Sequence, residues 1–250
     1  LKDGAKMSKS KGNTVDPQEM IAKYGADTAR LFILFAAPPT QDLEWSDTGI
    51  EGAYRFVNKF YRLVTGFIDS NKGNNPPKSN LKDLTDEQKE VRKKTHLALK
   101  KVGDDLGRRH SFNTAIATMM ELNNTLSKFT DISEKGVSVR RESIEIMVRC
   151  LSPVIPHLCH HLWFLLGGKE AVINTKWPNV DEFALVQDNV QIIVQINGKL
   201  RAKIIVPLDS DEQKIQELAF TDEGVSKHID SKNIIKTFVV TNKLINIVVE

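Results

Sequence analysis

The sequence predicts an α+β protein in two parts, a mainly α-helical bundle followed by a small ββαββ domain. Up to about residue 170, apolar side chains recur at helical spacing between capping residues. From Val190 to Val206 the chain alternates between apolar and other side chains, and Asn197-Gly198 interrupts that alternation. Asn-Gly between two alternating runs is a strong hairpin signal. A length of 250 residues, with 40% hydrophobic and 27% charged residues, suits two folded domains.

Helix boundaries in the first part follow from capping residues, prolines and glycines. Asp16 and Pro17 predict a helix start, and Gly25 predicts its end. A second helix, restarted by Asp27, is apolar nearly all round and is therefore expected to be buried. Later helices are predicted over 48–68, from Thr85 to about 109, and over 113–129, 139–151 and 157–166, with a polar Gly/Pro loop over 70–80. Helices joined by short loops favour a bundle.

The second part is predicted to be a separate unit of about 65 residues, large enough to fold alone. Its strands are expected over 190–196, 200–206, 234–240 and 244–249. Ser210 is expected to cap the helix between the two strand pairs. Residues 171–188 are interpreted as the linker between the parts.

Composition excludes several classes of protein. The formal net charge of +3 means that nucleic-acid affinity would depend on where Lys and Arg lie. Two cysteines give no disulfide framework, and no apolar run approaches the roughly 20 residues that span a bilayer. We therefore expect a cytoplasmic protein without membrane association. The chain begins with Leu1 on a polar loop, which suggests that an upstream segment is missing.

A metal site is not predicted. His157, Cys159, His160 and His161 invite a zinc interpretation, and His157 and His161 could share a helix face. A structural zinc site needs four ligands, however, and no second Cys/His pair occurs at metal spacing. Cys159 is instead interpreted as a small buried apolar residue.

The segment 6–13, with sequence KMSKSKGN, is the strongest candidate for chemistry. It places ammonium groups at Lys6, Lys9 and Lys11, with small hydroxyl residues between them and Gly12 permitting a tight turn. The spacing of a Walker loop is absent. Such a loop can close over a polyphosphate, with Lys as point charges and Ser and backbone N–H groups as donors. A solvated, Lys-rich tail is the alternative.

Residues 6–10 form the KMSKS signature of class I aminoacyl-tRNA synthetases, and the whole chain resembles the C-terminal part of the bacterial-type leucyl members. Carrying segments include DGAKMSKSKGNTVDP (3–17), LFAAPPTQDLEWSD (34–47), LSPVIPHLCHHLW (151–163) and VQINGKLRAKIIVP (194–207). The second and fourth favour the leucyl enzymes over the valine, isoleucine and methionine subgroup. His160 and His161 depart from the family, which usually has acidic residues there.

The resemblance implies that ATP and leucine form leucyl-adenylate, and that the leucyl group then passes to tRNA(Leu). Lys9 would bind ATP phosphates with help from Lys6, while Ser8 and Ser10 would hold the loop closed beside Met7. It implies Mg²⁺ only in the full-length enzyme, and no metal in this fragment. Because the family's nucleotide-binding core lies upstream, the fragment alone is expected to be inactive. The resemblance also implies a monomer.

The resemblance also implies a domain order. Residues 1–40 would end the catalytic domain with the KMSKS loop and helices that contact the tRNA stem. Residues 41–170 would form the bundle that resembles the class I anticodon-binding domain, residues 171–188 the linker, and residues 189–250 a small domain that contacts tRNA.

Two basic segments are candidate tRNA contacts. Residues 89–109 carry eight Lys and Arg against three acids, which could follow a phosphate backbone or form a solvated helix face. In the hairpin, Lys199, Arg201 and Lys203 alternate with Leu200, Ala202 and Ile204. If the apolar set faces the small helix, the cations share an outward face near Gln191 and Gln195. A role in keeping an edge strand soluble is the alternative. Another class I synthetase and a free-standing RNA-binding module also stay open.

Overall fold

A computed structural model describes residues 1–2, 4–71, 81, 83–186, 189–208, 210–229 and 232–250. The chain divides into two compact units, Leu1–Leu185 and Val186–Glu250. The first is α-helical and the second contains all four described strands, so the predicted α+β fold class is confirmed. Most of the predicted polar loop over 70–80 lies outside the described residues, as do Asp3 and the last two residues of the predicted linker.

The first unit contains seven described α-helices. In chain order these are α1 (Pro17–Tyr24), α2 (Ala26–Ala36), α3 (Asp47–Ser70), α4 (Asp86–Gly107), α5 (Phe112–Lys128), α6 (Glu134–Leu151) and α7 (Pro156–Leu165). Their buried apolar faces form one continuous core, in which Phe60, Leu99, Met119, Met147 and Leu162 are among the fully buried side chains. The bundle thus has the apolar centre that the helical periodicity predicts.

At two places, a helix begins at the capping residue that the sequence predicts. Asp16 accepts a 2.8 Å hydrogen bond from Gln18 N–H at the start of α1, where Pro17 occupies the first turn. Thr85 and Gln88 form a reciprocal capping box at the start of α4. Each cap satisfies backbone donors that have no partner within the helix.

Two helix predictions were wrong in part. Helix α6 begins at Glu134, five residues before the predicted 139, because the Ser133 hydroxyl accepts a hydrogen bond from Gly136 N–H. Helix α2 is not buried all round, since the side chain of Ile33 is 55% exposed while Leu31 and Phe32 are buried. It begins at Ala26, and Asp27 does not cap it but caps α7 instead.

Residues after α7 return along the bundle before the second unit begins. Arg92 of α4 is bound by two carboxylates, Glu142 Oε2 of α6 at 2.8 Å and Asp181 Oδ2 at 2.6 Å. The buried imidazole of His96 accepts a hydrogen bond from Asp181 N–H at Nδ1, 3.1 Å away, and its Nε2 lies 3.3 Å from Glu142 Oε1. These contacts fix the chain at Asp181, five residues before the second unit starts at Val186.

The second unit is a four-stranded sheet with helices in its connection. Its elements are β1 (Asn189–Ile196), β2 (Lys199–Pro207), α8 (Glu212–Thr221), α9 (Glu223–Ile229), β3 (Ile234–Val240) and β4 (Leu244–Val249), and the strand order is β2-β1-β4-β3. The two hairpins are antiparallel, while β1 and β4 pair in parallel at the centre. Ile192, Val194, Ile245 and Ile247 lie buried beneath the helices with Ile215.

The connection differs from the predicted ββαββ pattern in two respects. It contains two short helices, because Asp222 ends α8 and accepts the Gly224 N–H at the start of α9. The cap of α8 is Asp211, whose Oδ1 accepts Lys214 N–H at 2.7 Å, and not Ser210. The Ser210 hydroxyl donates instead to the carbonyl of Pro207. Adjacent Ser and Asp are both good caps, so their order alone could not decide between them.

Candidate functional site

The KMSKS loop begins beside the chain that precedes α3. The backbone nitrogen of Leu1 donates to the carbonyl of Leu43 at 2.6 Å, and Trp45 N–H donates to the carbonyl of Leu1 at 2.8 Å. Glu44 accepts the Gly4 N–H at 3.1 Å. Because Trp45 also packs its ring against the buried Phe32 of α2, this pairing fixes the base of the loop to the bundle.

Within the loop, hydrogen bonds form a compact turn. Residues Lys9–Lys11 make one turn of 3-10 helix, which ends where Gly12 adopts a φ of +65°. Gly12 N–H donates to the Lys9 carbonyl and Lys11 N–H to the Ser8 carbonyl. The Ser8 and Ser10 hydroxyl oxygens are 3.2 Å apart. Glycine permits this left-handed conformation without a steric cost.

Some of the loop's possible phosphate-binding groups are exposed, and others already form hydrogen bonds within the loop. Lys6, Lys9 and Ser10 are exposed, and in the described part of the chain none of the loop's ammonium groups forms an ion pair. The N–H groups of Ser8, Lys11 and Gly12 are already engaged within the loop. The loop therefore offers ammonium and hydroxyl groups to an anion, whereas these three backbone donors are occupied. The side chain of Met7 is half-buried.

The cations of the hairpin do not share one face, which corrects the prediction. Strand β2 has a bulge, because Val194 pairs with Ala202 while the next residue, Gln195, pairs with Leu200. Arg201 is the extra residue of that bulge. Leu200 consequently turns to the open side, where its side chain is 56% exposed. A one-residue shift in register reverses which face each following side chain occupies.

Lys203 does lie on the open face of the sheet, the face not covered by α8 and α9. It pairs with Ile193, and Gln191 and Gln195 lie two positions to either side on the same face. Lys199 instead pairs with Ile196 beyond the bulge. The prediction that Lys203 lies near the two glutamines is confirmed, and its extension to Lys199 is wrong.

The rest of the open face is apolar and basic. Ile205 is 69% exposed on β2, and Phe238 is 48% exposed on β3 with the Lys236 ammonium 4.6 Å from its ring centre. Lys236, Phe238 and Val240 of β3 lie on this open face. Phe238 pairs there with Asn246 of β4. An exposed aromatic ring beside a lysine can pack against a nucleobase or the sugar of a nucleic acid.

Helix α4 carries its cations in ion pairs. Lys94 pairs with Glu90, Lys101 and Arg109 with Asp105, and Arg108 with Asp104, all on α4 or the two residues that follow it. Arg92 and Lys100 pair with acids of other segments, Glu142, Asp181 and Glu182. The net +5 of residues 89–109 already counts Glu90, Asp104 and Asp105, but it omits Glu142, Asp181 and Glu182, so it overstates the charge available to a phosphate backbone.

The His/Cys cluster of α7 is dispersed. The ring nitrogen Nδ1 of His157 lies 2.8 Å from Asp27 Oδ1, and His160 packs its ring edge-on against Phe164. Cys159 is fully buried, and burial raises the pKa of its thiol. Among the residues that the structure describes, no group of three or more His, Cys, Asp and Glu side chains could hold a metal ion.

Sequence reasoning missed two residues with structural roles near the site. Asn13 bridges two backbone groups of the KMSKS loop, and Asp27 caps a helix 130 positions away. An Asn after Gly is a common turn pair, which was the only signal available for Asn13. For Asp27 no local pattern distinguishes a capping acid from an exposed one.

The class of protein to which the helical bundle and its cationic loop belong is shown by two family models. A family model described as the anticodon-binding domain of tRNA ligase matches residues 88–216, and a model of class I tRNA synthetases (I, L, M and V) matches residues 1–46. The chain belongs to the anticodon-binding domain family of tRNA ligases.

The similar proteins carry one name, leucine--tRNA ligase. The leucine--tRNA ligase of Ruthia magnifica subsp. Calyptogena magnifica is 56% identical over 250 residues, and that of Alcanivorax borkumensis is 51% identical over 248. These matches cover 100% and 99% of this chain but 30% of each relative. The chain therefore spans about a third of the length of the curated relatives that it matches, and it is similar to their leucine--tRNA ligases.

A solved structure gives the same result for the fold. The AgnB2 LeuRS of Agrobacterium radiobacter K84, in a LeuRS-tRNA-LeuAMS ternary complex, superimposes with a TM-score of 0.76 at 29% identity. The alignment covers 100% of this chain and 33% of that one. Among the described helices of this chain, none is long and apolar enough to cross a membrane.

Proposed function

We propose that this chain acts as part of a leucine--tRNA ligase, which activates leucine with ATP and transfers it to tRNA(Leu). The observation that carries the proposal is the 56% identity to such a ligase over all 250 residues. The exposed ammonium groups of the KMSKS loop, which form no ion pair with a described residue, support it, because they suit a polyphosphate substrate.

In the first step, the carboxylate oxygen of leucine attacks the α-phosphorus of ATP. The bond to the bridging oxygen breaks, and pyrophosphate leaves with the electron pair. Negative charge therefore moves onto the leaving group in the transition state. Lys9, assisted by Lys6, stabilises that charge more than it stabilises bound ATP, which lowers the barrier. Ser8 and Ser10 hold the loop in its closed form, and Met7 packs beside the nucleotide.

The Mg²⁺ that accompanies ATP is not held by this loop. Residues 4–13 contain ammonium, hydroxyl and amide groups but no carboxylate, and Mg²⁺ prefers carboxylate and phosphate oxygens.

The 250-residue chain alone is proposed to be inactive. All the described strands belong to the second unit, so the described residues contain no strand–glycine–helix unit that could hold the nucleotide. A single exposed loop supplies only one wall of such a site. The domain order of residues 1–40, 41–170, 171–188 and 189–250 is likewise proposed by resemblance, as are a monomer and a cytoplasmic location.

The second unit is proposed to contact tRNA(Leu). Lys203 lies on the open sheet face with Lys236 and the exposed ring of Phe238, and Lys199 and Arg201 lie at the bulged end of the same edge strand. Cations bind the phosphates and the ring packs against a base or a sugar. Since α4 is largely ion-paired, the bundle contributes more as a scaffold than as a cationic surface.

Amino-acid-dependent adenylation by the intact gene product tests the proposal. Pyrophosphate exchange into ATP should require leucine, whereas exchange with valine, isoleucine or methionine would identify another class I synthetase. Absence of exchange with any amino acid, together with salt-sensitive tRNA binding, would favour a free-standing RNA-binding module.

A charge-reversal series tests the tRNA contact. Lys203→Glu should weaken aminoacylation at limiting tRNA while adenylation stays unchanged, and Lys199→Glu with Arg201→Glu should act in the same direction. Each lost phosphate contact should reduce the slope of log K against log salt by about 1. The matched control is Lys128→Glu on α5, in the first unit. Equal loss of adenylation and aminoacylation would contradict a tRNA contact.

A further inference from the structure

Asn13 closes the KMSKS loop with both ends of its side-chain amide. Its Oδ1 accepts the Ser8 N–H at 2.8 Å, and its Nδ2 donates to the carbonyl of Lys6 at 3.3 Å. Lys6 and Ser8 lie on either side of Met7. The amide thus makes the two hydrogen bonds that a neighbouring β-strand would make, because it offers one donor and one acceptor to residues two apart.

This bridge joins the two ends of the loop. Lys6 and Ser8 are at its beginning and Asn13 is at its end, with the 3-10 turn of Lys9–Lys11 between them. The left-handed conformation of Gly12 reverses the chain so that Asn13 can reach back. The Asn13 bonds therefore restrict the backbone from which the Lys6 and Lys9 side chains extend.

Restricting that backbone matters because no described residue holds the two ammonium groups in place. Lys6 and Lys9 are exposed and form no ion pair in the part of the chain that the structure describes. A long Lys side chain loses rotamer freedom when it binds a phosphate. A backbone already held in one conformation reduces the additional ordering needed, which is the physical content of preorganisation.

We propose that Asn13 is a positioning residue for adenylate formation: its amide fixes the loop conformation that aims Lys9 and Lys6 at the leaving pyrophosphate. The inference rests on the proposed function of the loop. Asn13 itself does not contact the nucleotide, since both of its polar groups are used within the loop. Its effect on the reaction passes through the lysines.

A double-mutant cycle on adenylation tests this inference in the intact gene product. Asn13→Ala should reduce kcat for pyrophosphate exchange by about tenfold and leave KM for leucine unchanged, because misplacing a catalytic group costs rate. Asn13→Asp has the same size and keeps the acceptor but loses the donor to Lys6, so it should be slow as well. In a Lys9→Ala background, Asn13→Ala should cost clearly less than tenfold, because only Lys6 is left for the amide to position.

The control is Asn58→Ala, which removes an exposed amide bonded to the Tyr54 carbonyl on α3 and should leave adenylation unchanged. Wild-type kcat in Asn13→Ala, or the same tenfold loss in the Lys9→Ala background, would overturn the inference. The proposed function would survive either result. It would fail if Lys9→Ala itself had no effect on adenylation.

Amide hydrogen exchange in the 250-residue chain tests the bridge without relying on activity. Asn13→Ala should speed exchange at the Ser8 N–H by about tenfold, because that donor loses its partner. The exchange of the Gln88 N–H, held by Thr85 in the capping box of α4, should stay unchanged. Unchanged exchange at Ser8 would overturn the inference.

Discussion

The carboxylate of Asp27, in α2, caps the start of α7, which is distant from it in the sequence. Its Oδ2 accepts the Leu158 N–H at 2.7 Å, across 131 positions of sequence. Its Oδ1 lies 2.8 Å from Nδ1 of His157. The residue that precedes α7, Ile155, has no side-chain acceptor, so Asp27 supplies the cap that the local sequence lacks.

Replacing Asp27 should destabilise the bundle. Asp27→Ala removes a cap from part-buried backbone donors, which typically costs about 1–2 kcal/mol. Urea unfolding of the wild type and the variant measures the difference. The matched control is Glu19→Ala, an exposed acid in the first turn of α1, which should change stability by less than about 0.5 kcal/mol. Equal effects of the two substitutions would contradict the capping role.

The ion pairs around Arg92 should make the first unit sensitive to acid. Hydrogen bonding by Arg92 lowers the pKa of Asp181. Burial of Glu142 acts to raise its pKa, but hydrogen bonds from His96 and Arg92 outweigh burial, so this pKa is also lowered. Both carboxylates therefore stabilise the fold above their unfolded pKa of about 4, and that stability is lost as the pH falls through the lower folded values.

Urea midpoints between pH 7 and pH 3 measure this dependence. The wild type should lose stability steadily below about pH 4.5. Arg92→Met should be less stable at pH 7 and should lose less on acidification, because the partner that lowers both pKa values is gone. Parallel pH profiles for the two proteins would refute the role of Arg92.

The two cysteines should be unreactive in the folded protein. Burial raises the pKa of Cys150 to about 12, and it raises that of Cys159 as well. Because the thiolate is the reactive form, a thiol reagent at pH 8 should label neither cysteine until the bundle unfolds. Mass spectrometry should then show two modified thiols in denaturant. Rapid labelling of the native protein would contradict the packing of α6 against α7.

The turn between β1 and β2 should disfavour a side chain at Gly198. Asn197 and Gly198 have φ of +49° and +76°, a conformation that favours glycine. Gly198→Ala should destabilise the second unit by about 1 kcal/mol. Gly66→Ala, at an open helical position of α3, is the control and should stabilise the first unit slightly. Hydrogen exchange of the β1 and β4 amides separates the two effects, and unchanged protection in Gly198→Ala would contradict the turn.

Local signals in the sequence predicted most of the elements. The caps at Asp16 and Thr85, the alternation in β1 and the Asn-Gly turn each act over a few residues, so they can be read without the structure. The bulge at Arg201 depends on how two strands pair. The cap supplied by Asp27 depends on how α2 packs against α7. Contacts of that range leave no periodic pattern, which is why the predicted faces of β2 and α2 were partly wrong.

The candidate site was also predicted only in part. The KMSKS residues were found because the motif resembles that of a known family. The internal geometry of the loop was not predicted. The hydrogen bonds of Asn13, and those that occupy the N–H groups of Ser8, Lys11 and Gly12, form only when the loop folds. The assignment of Lys9 to ATP phosphates stays a prediction that kinetics must test.

Single-turnover adenylation by the intact gene product, with leucine and ATP at saturation, tests the role of the loop most directly. Lys9→Ala should slow the formation of leucyl-adenylate by about a hundredfold to a thousandfold, the typical effect of removing one preorganised donor, while tRNA binding stays at the wild-type level. Lys128→Ala, an exposed lysine of α5, should react at the wild-type rate. Adenylate formation at wild-type speed in Lys9→Ala would contradict the claim that this ammonium group stabilises the departing pyrophosphate.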